Sequence, residues 1–94
     1  MMNERQKQDV TNRLSRIKGQ VGGIQRMVED ERYCVDVLTQ VAAVLSALRR
    51  VEDRILSAHM HTCVAGAMRS GDAVEQNQKV DELIDLLDKF RKHG

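Results

Sequence analysis

Three side chains in this sequence have the chemistry to hold a soft metal ion: Cys34, His59 and Cys63. His59 and Cys63 are four residues apart. A helix advances about 100° per residue, so that spacing sets both on one face, within reach of a single ion. His61 follows His59 by two residues, falls about 200° round the same helix, and reads as a solvated histidine. Cys34 stands 25 residues before His59. At a rise of about 1.5 Å per residue an unbroken helix separates the two by roughly 37 Å, so one chain cannot close a three-ligand site. Two antiparallel copies of that helix can. The predicted site therefore lies between chains and is made twice per dimer.

Two thiolates and an imidazole form a soft set of three donors. Such a set favours Cu(I), with Zn(II) as its usual competitor, and a structural Zn(II) site wants a fourth ligand not evident in the sequence. Other readings compete for the same residues. A buried cysteine is often only a small hydrophobe. Two activated thiols can also sense oxidants, persulfide or electrophiles without a metal. An unpaired imidazole on an apolar face is costly, and that favours the metal reading.

The elements that must position these residues are helices. Val10, Leu14, Ile17, Val21, Ile24 and Val28 step alternately by four and three, which predicts one helical stripe ended by Glu29-Asp30-Glu31-Arg32. Val37, Val41, Val44, Leu48, Val51 and Ile55 form a second stripe, and the absence of Gly and Pro from 34–65 predicts one long helix there. Gly71 suits a helix C-cap and Asp72 an N-cap, with Glu75 placed to complete a capping box. Val80, Leu83, Leu87 and Phe90 then predict a third helix over 72–93. The expected fold is all-α: a three-helix protomer with a long second helix, in a single domain over residues 1–94. Its core of Val, Leu, Ala and Met is thin, and a second copy would complete it, so a homo-oligomer is expected over a monomeric bundle.

Composition agrees. The chain has 94 residues, 31% charged and only 2% aromatic, with no proline. A sandwich or barrel would need more β-branched and aromatic residues and Gly/Pro-rich turns. No apolar run approaches the roughly 18 residues of a membrane span. The first residues, Met1-Met2-Asn3-Glu4-Arg5, lack a signal-peptide core, which predicts a cytoplasmic protein with reduced thiols. Net charge is only +1, yet residues 1–28 carry six basic side chains against two acidic ones. Arg13, Arg16 and Lys18 belong to that segment, and Arg49 and Arg50 add charge midway along the second helix. Doubled in a dimer, they make double-stranded DNA a plausible partner, against the alternative of a solvated face with i,i+4 pairs. No helix-turn-helix signature is present. Beyond the three candidate ligands no acid–base constellation marks an enzyme, and a copper chaperone would want a more exposed site.

At these residues the chain resembles a known family. Asn12-Arg13-Leu14-Ser15-Arg16-Ile17-Lys18-Gly19-Gln20 is similar to the first helix of the copper-sensing operon repressors (the CsoR/RcnR/FrmR family). Tyr33-Cys34-Val35-Asp36-Val37-Leu38 resembles the start of that family's second helix, and Asp81-Glu82-Leu83-Ile84-Asp85 its third. The Cys34, His59, Cys63 pattern matches the copper-responsive subtype, whereas a nickel/cobalt subtype has His where Cys63 stands, and a persulfide subtype lacks the metal-binding His. The resemblance implies an antiparallel four-helix-bundle dimer that pairs into a tetramer. It implies a repressor whose metal-free form binds operator DNA and is released by Cu(I). Cys34, His59 and Cys63 would be the ligands, Tyr33 and Glu82 the outer pair coupling them to DNA affinity, and Arg13 and Arg50 DNA contacts.

Overall fold

A computed structural model describes residues 2–93 and, among them, the side chains of residues 2–90. Three helices follow one another: α1 (Glu4–Glu29), α2 (Cys34–Ser70) and α3 (Ala73–His93). No strand occurs among the described residues, and the expected all-α class holds.

Helix α1 begins at a reciprocal cap. The Gln6 backbone N–H donates to Oδ1 of Asn3 at 2.8 Å, and the Asn3 N–H donates to Oε1 of Gln6 at 3.0 Å. Both amides would otherwise lack an intrahelical partner. At the other end Arg32 N–H donates to the Met27 carbonyl at 2.9 Å, closing the turn around Glu31, whose φ is +55°. That left-handed position is one glycine occupies most readily.

Contacts gather into two units, one of residues 2–56 and one that begins at Ser57; α2 contributes to both. In the first unit α1 and the leading part of α2 form a hairpin whose core is Val10, Ile17, Val44 and Val51, with Ile24, Ala47 and Ile55 packed against it. The six-residue stripe predicted on α1 divides. Val10 and Ile17 are buried, whereas Leu14, Val21 and Val28 are 43%, 50% and 60% exposed. One partner helix covers only half of a heptad seam.

In the second unit Ala58, Ala67 and Leu83 are buried. Helix α2 reaches Ser70, five residues past its expected end at 65. Gly66 therefore lies inside a helix, where a glycine costs about 1 kcal/mol relative to alanine. That cost does not end a helix whose flanking residues are Ala65, Ala67 and Met68. Gly71 takes a φ of +67°, as its expected cap role requires. Asp72 caps α3 through Val74 N–H, which donates to its Oδ1 at 2.9 Å. Glu75 closes no return bond to Asp72 among the described residues, so the predicted capping box is half made. The Gln76 side-chain amide donates to the Ala67 carbonyl at 3.3 Å and ties the start of α3 to the end of α2.

Candidate metal centre

The helical spacing of His59 and Cys63 brings them together as expected. Sγ of Cys63 lies 3.4 Å from Nε2 and 3.7 Å from Nδ1 of the imidazole. Glu82 reaches the same place from α3: its Oε1 is 3.4 Å from His59 Nε2. One donor atom from each of His59, Cys63 and Glu82 lies within 4.8 Å of the others. The pair on α2 is half-buried, and Glu82 is exposed at the margin. A thiol, an imidazole and a carboxylate so placed are a metal-binding donor set.

Glu82 and Lys79 share a face of α3, three residues apart. Nζ of Lys79 is 3.4 Å from Oε2, the carboxylate oxygen turned away from His59. The two oxygens of Glu82 thus have different partners. The hydrogen bond and positive charge of Lys79, and then the hydrogen bond to His59, hold the Glu82 carboxyl below its ordinary value. Sequence spacing did not single out Lys79; the i,i+3 Lys–Glu relation is the one local signal that marks it.

An ionised carboxylate can only accept. Beside Nε2 it favours the imidazole tautomer with its proton on that nitrogen, which leaves the Nδ1 lone pair for a metal. Alternatively, Glu82 ligates directly through oxygen and Nε2 turns to the ion. The donor set permits either use.

The other predicted site residues lie elsewhere. Cys34 is the first residue of α2, exposed and a free thiol, and it is absent from the His59–Cys63–Glu82 group. Tyr33 is 67% exposed, and its carbonyl accepts from Asp36 and Val37 in the first turn of α2. His61 is exposed. Among the basic residues, Arg13 Nε donates to Asp9 Oδ1 at 3.2 Å, and Arg54 reaches the second oxygen of Asp9 at 3.0 Å. Asp9 thus joins α1 to α2 and offsets two of the cations. Arg16, Lys18, Arg49 and Arg50 are exposed and form no ion pair with the described residues.

A family model described as "Metal-sensitive transcriptional repressor" matches residues 6–89. The copper-sensing transcriptional repressor CsoR of Bacillus subtilis is 50% identical over 88 residues, 94% of this chain and 84% of that protein. A crystal structure of the copper-sensing repressor CsoR with Cu(I), from Geobacillus thermodenitrificans, superposes with a TM-score of 0.82 at 41% identity, covering 97% of this chain and 92% of that one. The nickel-responsive transcriptional regulator InrS gives a TM-score of 0.77 at 44% identity, over 88% and 90% of the two chains. With a match that spans nearly all of α1, α2 and α3, the chain belongs to the family of metal-sensitive transcriptional repressors.

Proposed function

We propose that this protein is a cytoplasmic, copper(I)-responsive transcriptional repressor, a DNA-binding regulator and not an enzyme. Its metal-free form binds operator DNA, and Cu(I) uptake releases it. The observation that carries this reading is the contact between His59 and Cys63, a soft sulfur donor beside an imidazole in a chain similar to copper-sensing repressors. Cys34 of a second copy would supply the remaining sulfur, because α2 runs unbroken between Cys34 and Cys63. Tyr33, next to Cys34, and Glu82, beside His59, would then be the outer pair that couples the site to DNA affinity.

Association of copies is supported by the exposed half of the α1 stripe. Leu14, Val21 and Val28 on α1 and Leu38, Leu45 and Leu48 on α2 are exposed apolar side chains outside the core of one chain. A homodimer, and a tetramer built from two dimers, would bury them. The same assembly doubles the basic residues offered to phosphates: Arg16, Lys18, Arg49 and Arg50, with Arg13 held by Asp9.

A second reading, a repressor responsive to a divalent metal, draws on the carboxylate of Glu82 in the donor group and on the likeness to a nickel-responsive regulator. Titration of labelled DNA taken from upstream of the protein's own coding sequence decides between them. Wild-type protein should leave the DNA on adding Cu(I) and not Ni(II). A His59→Ala variant keeps both thiols and should lose most of that release. Release by Ni(II) alone would establish the second reading.

A further inference from the structure

We propose that Lys79 is a metal-selectivity residue: by holding one carboxylate oxygen of Glu82, it keeps that carboxylate from closing a His59–Cys63–Glu82 site around a divalent cation. The proposal deepens the copper reading, on which it rests for the identity of the favoured ion.

The donor group His59, Cys63 and Glu82 is complete within one chain. Nitrogen, sulfur and oxygen donors together suit a borderline dication such as Zn(II) or Co(II). Cu(I) gains little from a carboxylate oxygen and much from thiolate sulfur. The role of Glu82 therefore sorts the ions. As a ligand it favours the dication. As an acceptor from His59 Nε2–H it orients the ring and leaves a softer site.

Lys79 acts on this choice in two ways. Its Nζ lies 3.4 Å from Oε2 while Oε1 faces His59 at 3.4 Å, so the carboxylate bridges two side chains and would have to give up at least one contact to ligate. Its positive charge also opposes cation entry, and a dication feels twice the repulsion of a monocation at the same place. Among the described residues Lys79 forms no hydrogen bond or ion pair with Cys34, His59 or Cys63. It is a positioning residue.

The test is a titration of metal-free protein with Co(II) under anaerobic conditions, followed by thiolate-to-Co(II) absorption, in wild type, Lys79→Gln, Glu82→Gln and the double variant. Lys79→Gln should tighten Co(II) by about three- to fivefold, the scale of a partly exposed ion pair. The gain should vanish when Glu82→Gln is also present, and Cu(I) affinity, read by competition with a chromogenic chelator, should change by much less. Equal Co(II) affinities in wild type and Lys79→Gln would overturn the proposal. So would the same gain in the Glu82→Gln background, or an equal gain for Cu(I). The copper reading fails by a different result, a wild-type chain that takes up no Cu(I), and the Co(II) comparison stands apart from it.

Discussion

Oε1 of Glu82 on α3 lies 3.4 Å from Nε2 of His59 on α2, although 23 residues separate them in sequence. This contact links the second half of α2 to α3. A change in the state of His59 would therefore act on α3 through Glu82. Such a link is what a sensor needs, because a ligand shifts a conformational equilibrium only through contacts that differ between the two states.

The Glu82 carboxyl should titrate below the usual carboxylate value of 4.5, and Lys79→Gln should move it upward, since Lys79 is the larger cause of the shift. The linkage has a definite sign. A carboxyl with a lowered folded pKa contributes stability above its ordinary value, and the contribution disappears as pH falls through the lowered one. Carbon-13 shifts of the labelled carboxyl in both proteins check this. An unchanged midpoint in Lys79→Gln would mean that the ion pair does not persist in solution.

The two left-handed turn positions should respond oppositely to substitution. Glu31 has a φ of +55° and Gly71 of +67°. Glu31→Gly should raise stability by about 0.5–1 kcal/mol, and Gly71→Ala should lower it by about 1 kcal/mol. No neighbouring atom lies within 4 Å of a Cβ built on Gly71, so backbone strain and not crowding sets the second cost. Urea unfolding with protein concentration held fixed measures both.

DNA contacts should divide according to ion pairing. Arg16, Lys18, Arg49 and Arg50 are not engaged with described acidic residues, whereas Arg13 is tied to Asp9. Replacing Arg50 by Ala should flatten the slope of log K against log salt by about 0.9 for each phosphate contact removed. Arg13→Ala should have a smaller effect on the slope, because Asp9 already offsets part of the Arg13 charge. Exposed His61 should leave the slope unchanged when replaced by Ala. Identical slopes for wild type and Arg50→Ala would place the DNA surface elsewhere.

Metal should bind between chains. Cys34→Ala chains mixed with His59→Ala/Cys63→Ala chains should regain Cu(I) uptake that neither parent shows at the same concentration, with one intact site of two in each mixed dimer. Uptake no better than in the parents excludes a shared site.

Much of this architecture is legible from local pattern. His59 and Cys63 meet because i,i+4 spacing on a helix requires it, and Gly71 caps because its neighbours demand a left-handed residue. The residues that escaped sequence reading depend on longer reach. Placing the Glu82 carboxylate against His59 requires α3 to return alongside α2, and neither periodicity nor spacing specifies that; only the family resemblance pointed to Glu82. Lys79 acquires a role only through Glu82. The reciprocal cap of Asn3 and Gln6 was hidden for a different reason: the apolar stripe begins at Val10, two turns after the helix itself. The splitting of that stripe into buried Val10 and Ile17 and exposed Leu14 and Val21 likewise follows from how one partner helix covers it.

The central claim is a coupling between Cu(I) at His59 and Cys63 and DNA on the basic residues, and coupling is reciprocal. The most direct measurement is Cu(I) affinity of the same wild-type protein, by anaerobic chelator competition, with and without saturating upstream DNA. DNA should weaken Cu(I) binding by about 5- to 150-fold, the usual range for such coupling, and Cu(I) should weaken DNA binding by the same factor. Equal Cu(I) affinities with and without bound DNA would contradict the account.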